Sequence, residues 1–207
     1  MFPALQDVKN VLGLKTPSRR IHLFIQGHLP TAFTFGYFFS ESSRFTLLLE
    51  GLHNIWSTEG PISDLPALRT LAYNLDSANS NVNDSESAIN VAVIEIAISR
   101  NTASAVAKYL PLSGLSYKHH IRYEPQNGPS NSAVVDAVQA LTMARQIGRE
   151  LRHLCDSEGI SHIHLFASLP AALAVMVGHQ LNGLCPVTLY QYINAERLYA
   201  PVCTLGK

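Results

Sequence analysis

Charge is scarce in this chain of 207 residues: Asp, Glu, Lys and Arg make up 14%, and fifteen of each sign cancel at a pI near 7.1. Such a surface has no basic excess for gripping duplex DNA without regard to sequence. Cysteine is scarce too. Cys155, Cys185 and Cys203 are odd in number and widely spaced, so they form neither a disulfide framework nor a zinc pattern and read as small core hydrophobes. No apolar run reaches the roughly 20 residues a membrane-spanning helix needs; Phe166 to Met176, among the longest, is interrupted by Ser168 and Pro170. Met1-Phe2-Pro3-Ala4-Leu5-Gln6-Asp7 has neither the basic nor the apolar region of a secretory signal, and a cytoplasmic location is expected. Gly-x-Ser-x-Gly, Walker-type and Gly-x-Gly-x-x-Gly patterns are all missing, which removes motif support for a hydrolase or a nicotinamide enzyme. The nine histidines include His119-His120 and the pair His162 and His164. On a strand, neighbours point to opposite faces, and no Cys or carboxylate completes a four-ligand set at a recognisable spacing, so no metal is expected.

What is present is apolar substance: 47% of residues are hydrophobic, enough for one sizeable domain or two halves sharing a core. Ile21-His22-Leu23-Phe24-Ile25 reads as a buried strand after the basic lead-in Lys15 to Arg20. A helix over about 30–39 follows, with Pro30 in its first turn, and then a second strand at Phe45-Thr46-Leu47-Leu48-Leu49. Asp76 to Ser87 is a polar loop. Ile89 to Ser99 is mostly Val, Ile and Ala, broken by Asn90 and Glu95, as expected of a central strand covered on both faces. Thr102 to Leu110 predicts a helix stopped by Pro111, Tyr117 to Tyr123 a strand, and Ser132 to Ser157 a helix of about 25 residues capped by Asn131 or Ser132 and ended at Gly159. Alternating strands and helices predict an α/β fold with mostly parallel sheets flanked by helices.

A self-match at an offset of 142 residues organises the chain. Ile21-His22-Leu23-Phe24 recurs as Ile163-His164-Leu165-Phe166, Ala32 falls on Ala174, Gly36 on Gly178, and Thr46-Leu47 on Thr188-Leu189. The identities keep phase through strand, helix and strand, which predicts two Rossmann-like units related by a pseudo-two-fold axis. In open α/β sheets the ligand crevice lies outside the carboxyl ends of the strands, where helix N-termini offer N–H groups to anions. The crevice is then expected between Gln26-Gly27-His28 of one unit and Ala167-Ser168-Leu169 of the other, with Glu50 to Trp56 and Tyr190 to Arg197 beside it.

The stretch from His164-Leu165-Phe166-Ala167-Ser168-Leu169-Pro170 to Gly178, with Pro186, Val187-Thr188-Leu189-Tyr190-Gln191-Tyr192 and Tyr199-Ala200-Pro201-Val202-Cys203-Thr204-Leu205, resembles the SAVED domain. That family has a His-Leu-Phe strand, a Pro-Ala turn into a helix ending in Gly, a strand ending in Tyr and a closing Tyr-x-Pro segment. The resemblance implies two fused CARF-like halves, here about 18–125 and about 130–207. It also implies a sensor of cyclic oligonucleotide messengers in bacterial anti-phage defence of the CBASS type. Such a domain is no catalyst. It takes the cyclic oligonucleotide as activating ligand without a further cofactor, self-associates on binding it, and switches a fused or partner effector. An HNH-type nuclease outside these residues is the expected effector, and on the same resemblance a cyclic dinucleotide is the favoured ligand.

Under that reading Gln26, Gly27 and His28 meet a base edge or phosphate, and Ser168, Leu169 and Pro170 form the matching turn of the second unit. Trp56, the only tryptophan, offers a stacking face. Arg100, just past the central strand, offers bidentate hydrogen bonds to a phosphate, and Tyr192 and Arg197 stand in the second unit where Trp56 and its neighbours stand in the first. The alternative is a Rossmann-like enzyme acting on a nucleotide or sugar phosphate, with Glu50 or His28 as general base.

Overall fold

The computed structural model describes residues 2–15, 18–51, 54–73 and 90–206. The polar loop expected at Asp76 to Ser87 lies outside them. In chain order the elements are α1 (Phe2–Lys15), β1 (Arg20–Leu23), α2 (Leu29–Phe38), β2 (Thr46–Glu50), β3 (Ile55–Ser57), β4 (Leu68–Tyr73), β5 (Val91–Ala97), α3 (Ala103–Ser113), β6 (His119–Pro125), α4 (Ala137–Asp156), β7 (His162–Ser168), α5 (Ala171–Gln180), β8 (Val187–Ile193) and β9 (Leu198–Leu205). They form two sheets, one of order β1-β2-β3 and one of order β4-β6-β5-β7-β8-β9. Parallel pairing runs through β1-β2 and β6-β5-β7-β8, and the outer pairs β2-β3, β4-β6 and β8-β9 are antiparallel. This is the expected α/β class, with β5 central in the larger sheet.

The sheets divide the chain at a different point from the halves expected at about 18–125 and 130–207. β5 and β6, assigned to the first half, are hydrogen-bonded into the sheet that holds β7, β8 and β9. The cause is edge-to-edge pairing: β5 takes β7 as a parallel partner over seven registered residues, from Val91↔His162 to Ala97↔Ser168. The repeated part is narrower than a half and consists of β1-α2-β2 against β7-α5-β8.

Two helix boundaries are also corrected. α4 starts at Ala137, because Asp136 and neither Asn131 nor Ser132 caps it: the Asp136 carboxylate accepts the Gln139 N–H at 2.7 Å, while Gln139 Oε1 accepts the Val135 N–H at 2.8 Å. This reciprocal arrangement is a capping box shifted by one residue. α3 runs through Pro111 to Ser113 and ends at Gly114, whose φ of 65° suits glycine. Pro111 and Ala107 are both exposed, so the carbonyl that loses its helical N–H partner faces water. α1, β3 and β4 were not legible as elements; β3 is three residues long, too short for a periodic pattern.

Helices α2 and α5 pack on one another at the centre of the molecule, and their contact carries the repeat. A Cβ on Gly36 would lie within 3 Å of the Val175 backbone, and one on Gly178 within 3 Å of the Phe33 backbone. The offset of 142 carries Gly36 onto Gly178 and Phe33 onto Val175, so the two close approaches exchange under the repeat. That exchange is the pseudo-two-fold relation in atomic form, and glycine is required on both sides because the obstacle is backbone. Around the crossing, Ala32, Phe33, Leu173, Ala174, Val175 and Val177 are buried with Leu47, Leu49, Leu165 and Leu189 in one continuous core. A second, smaller core lies on the opposite face of the larger sheet, where α3 covers Val93, Phe166, Tyr190 and Tyr199.

Candidate functional site

Three helices start where three parallel strands stop: α2 after β1, α3 after β5 and α5 after β7. The residues at their N-caps, His28, Thr102 and Pro170, make no side-chain cap hydrogen bond, whereas α4 is capped by Asp136. At α3 the Ala103 N–H is taken by Asn101 Oδ1 at 2.9 Å, and in α2 Pro30 has no N–H and Thr31 donates to the His28 carbonyl. The donors without a capping side chain are therefore the Leu29 N–H of α2 and the first-turn N–H groups of α5, where the helix dipole adds partial positive charge. Helix ends of this kind receive anions.

The C-terminal ends of α2 and α5 lie together. Just beyond those ends Ser42 Oγ donates to Asn182 Oδ1 at 3.1 Å, and from the last turn of α5 His179 Nε2 donates to the Phe45 carbonyl at 3.0 Å. With the C-terminal ends joined and the helices crossing at Gly36 and Gly178, both N-termini open toward the same side. The repeat thus brings Gln26-Gly27-His28 and Ser168-Leu169-Pro170 to one edge of the molecule.

Gln26, Gly27 and His28 are exposed. Gly27 has φ 143° with open space around its Cβ position, so backbone conformation and not crowding calls for glycine. The His28 carbonyl accepts from the N–H groups of Thr31 and Ala32. In the second unit the Ser168 carbonyl accepts from the N–H groups of Ile98 and Ser99, both at 2.8 Å, which ties the carboxyl ends of β5 and β7 and carries the exposed Arg100 along the same edge. Arg197 is exposed in the β8-β9 hairpin turn with φ 51°.

Three expected residues have other surroundings. Trp56 is 1% exposed, registered opposite Leu49, and its indole N–H is taken by Asn54 Oδ1 at 2.9 Å. Antiparallel pairing of β3 with β2 turns the indole into the core, so no face is free for a base. Leu169 is buried, and Pro170 has no N–H, so the free donors of that turn belong to the first residues of α5. Tyr192 packs against Tyr199 with ring centres 5.3 Å apart, on the face covered by α3 and away from the α2–α5 pair. Glu50, the general base of the enzymatic alternative, pairs with His22 Nε2 at 3.2 Å, both side chains being about half exposed.

Some polar groups had no place in the sequence reading. Glu95, 1% exposed in β5, receives His120 Nε2 at 2.7 Å on one carboxylate oxygen and the Thr102 hydroxyl on the other. Thr102 is the N-cap of α3, so this buried carboxylate holds the hydroxyl that would otherwise cap the helix. Beside it, Arg122 Nη2 meets Glu124 Oε2 at 2.7 Å, and Arg69 Nε donates to Glu124 Oε1 at 2.8 Å. A cleft of about 410 Å³ opens at the carboxyl end of β6, lined by the neutral polar side chains of Gln126, Asn127, Ser130, Ser132 and Gln139. The one signal for the first cluster was Glu95 itself, a charge inside an apolar run.

The family model of SAVED, the SMODS-associated and fused to various effectors sensor domain, matches residues 4–205. The chain belongs to the SAVED family. A CD-NTase-associated protein 4 of Moraxella osloensis is 30% identical over 89 residues, which are 42% of this chain and 19% of that protein. A namesake from Acinetobacter sp. (strain ATCC 27244 / 9458) is 27% identical over 89 residues, again 42% of this chain and 19% of the relative. Among solved structures, the Acinetobacter baumannii Cap4 SAVED/CARF-domain containing receptor with the cyclic trinucleotide 2'3'3'-cAAA superposes with a TM-score of 0.80 at 17% identity, over 98% of this chain and 42% of that one. The same receptor with 3'3'3'-cAAA gives 0.79 at 17% identity over the same shares, and the Moraxella osloensis Cap4 receptor gives 0.62 at 19% identity, over 98% of this chain and 40% of that one. At these identities the structural likeness is one of fold, and it covers the whole SAVED domain described above. The chain spans less than half the length of each of these relatives. As a SAVED domain it is a sensor module, and among the described residues no helix is long and apolar enough to cross a membrane.

Proposed function

We propose that this SAVED domain binds a cyclic oligonucleotide at the shared edge of its two repeated units, with phosphates on the Leu29 N–H of α2 and the first-turn N–H groups of α5 and with Arg100 as a side-chain donor. The observation that carries this reading is the pair of uncapped helix N-termini, related by the repeat and opening on one side. The α2 end supplies the Leu29 N–H and the α5 end those of its first turn, neither with a capping carboxylate, so an anionic ring meets donors at both. A neutral chain is no obstacle to a small anion that needs only a few such donors.

The Acinetobacter baumannii receptor is solved with two cyclic trinucleotides, so a trinucleotide replaces the cyclic dinucleotide as the first ligand to test. The ring itself is the activating ligand, and no other cofactor is required. Family membership and the greater length of the relatives support an effector acting with this domain in the cytoplasm, a nuclease being our first choice. Binding then works by population shift: the ring favours a self-associated arrangement by its differential affinity for it.

The deciding experiment is titration calorimetry of the chain against cyclic di-, tri- and tetranucleotides of adenine, with light scattering and chromatographic recovery of each ligand. Selective binding of one ring, recovered intact, and at least tenfold weaker binding to Arg100→Ala are expected. Absence of binding across the panel overturns the ligand reading, and conversion of the ring overturns the non-catalytic one.

A further inference from the structure

We propose that the cleft at the carboxyl end of β6 is a subsite for an adenine base, read by the side-chain amides of Gln126 and Asn127. The inference rests on the ring-binding reading above and extends it from phosphates to bases. The cleft holds about 410 Å³, within the usual range of small-molecule sites. Strands β6, β5 and β7 are parallel, so it lies on the edge of the sheet where α5 begins. Ser130 in its wall donates the backbone N–H to the Ile98 carbonyl at 2.9 Å, two residues ahead of Arg100. A nucleotide whose phosphate meets Arg100 therefore has the cleft within reach of its base.

The lining excludes most other occupants. None of its described residues is charged, so a phosphate, carboxylate or ammonium group seated there would lose water without gaining a counter-charge. Pro66, Pro125 and Val135 supply apolar walls, and Gln126, Asn127 and Gln139 supply amides. Val135 is 70% exposed, an apolar surface left open on the cleft side of α4. A flat heterocycle, apolar on its faces and hydrogen-bonding along its edges, suits this division, as flipped bases do in enzyme pockets.

The amides choose among the purines. Gln126 and Asn127 are exposed, and their side chains have no hydrogen-bond partner among the described residues. Their backbone is fixed all the same. The Gly128 N–H donates to the Pro125 carbonyl at 2.9 Å and closes a turn with Gln126 and Asn127 at its two central positions; Gly128 itself takes φ 82°. A carboxamide offers one donor and one acceptor side by side. The N7 and amino group of adenine are the complement of that pair, whereas N7 and O6 of guanine or hypoxanthine both accept and leave the carboxamide oxygen unpaired. Arg or Lys, which would favour guanine, is missing from the described lining. Gln139 Oε1 is taken by the Val135 N–H at 2.8 Å, so the Gln139 amide can only donate, which suits the other ring nitrogens of the base.

The test follows the side-chain amide signals of Gln126 and Asn127 by two-dimensional NMR while adenosine, inosine or a cyclic triadenylate is added to the chain. Adenosine and the triadenylate should shift both signals. Inosine, which carries a carbonyl in place of the amino group, should bind at least about fivefold more weakly than adenosine. In titration calorimetry the double variant Gln126→Ala/Asn127→Ala should bind the triadenylate at least about fivefold more weakly than the parent, with Tm unchanged because neither side chain has a partner to lose.

The outcomes separate the two readings. Triadenylate binding that is equally tight in the double variant, or that leaves both amides unmoved, overturns the base subsite while ring binding stands. Amides that answer adenosine in a chain that binds no triadenylate uphold the subsite and overturn ring binding. Equal affinity for inosine overturns the choice of adenine, and amides silent toward every probe overturn the subsite.

Discussion

The glycine crossing of α2 and α5 makes a quantitative prediction. Gly36→Ala or Gly178→Ala places a methyl group within 3 Å of the opposite helix backbone. Overpacking costs about 1–3 kcal/mol, and backbone has no rotamer with which to yield, so the upper end applies. Alanine returns about 1 kcal/mol as the better helix former. Each variant should therefore lose about 2 kcal/mol, or about 4–8 °C in Tm for a chain of this length. Both methyl groups force open the same gap, so the double variant should lose about 3 kcal/mol and not about 4. Equilibrium urea unfolding followed by circular dichroism measures all three. Gly13→Ala in α1 is the control: its Cβ position is 3.9 Å from Phe45 Cζ, an ordinary contact, and the substitution should stabilise by up to about 1 kcal/mol. If the two crossing variants behave like that control, or their losses add in full, the close-packed two-fold crossing is wrong.

Other consequences are testable in the same preparations. Burial, and then the neighbouring His162, hold His164 down to about 4; since its unfolded value is near 6.5, the unfolded chain takes up the proton first. Stability should fall as pH drops from about 6.5 to 4, and His164→Phe should flatten that slope; an unchanged slope refutes the assignment. Glu95→Ala removes the buried acceptor of His120 Nε2 and the Thr102 hydroxyl and should cost about 3 kcal/mol in urea unfolding, where a loss below about 1 kcal/mol would deny the carboxylate its role. Trp56 fluorescence should resist iodide and stay unchanged when a cyclic trinucleotide saturates the chain, whereas ligand-dependent quenching would restore the stacking role.

The repeat was legible because it lies in short stretches whose spacing is fixed by covalent chain length. Gly36 and Gly178 stood out as an identity, and their crossing shows why neither tolerates a side chain. Trp56 misled because its burial is decided by β3, three residues that pair with β2 only once the chain has turned back. The start of α4 was expected at Asn131 or Ser132, both good capping residues, and Asp136 was passed over; Gln139, three residues past it, completes the cap. Glu95 was visible as an irregularity in an apolar run, but its partners are seven and twenty-five residues away and meet it only through sheet register and a helix end. The division between sheets escaped for a related reason. Segments without a counterpart in the repeat, β4 to β6 among them, carry no internal sign of which edge they will join.

The fused crossing changes what mutation can do. Where two identical subunits meet on a symmetry axis, any substitution appears on both sides at once, and a site on that axis can diverge only symmetrically. Here residues 36 and 178 are separate codons. The two turns that open toward the same edge, Gln26-Gly27-His28 and Ser168-Leu169-Pro170, already differ at every position, while the helices behind them keep matched glycines. The scaffold has stayed paired and the rim has been released from pairing, which leaves each side free to specialise on a different part of an asymmetric partner.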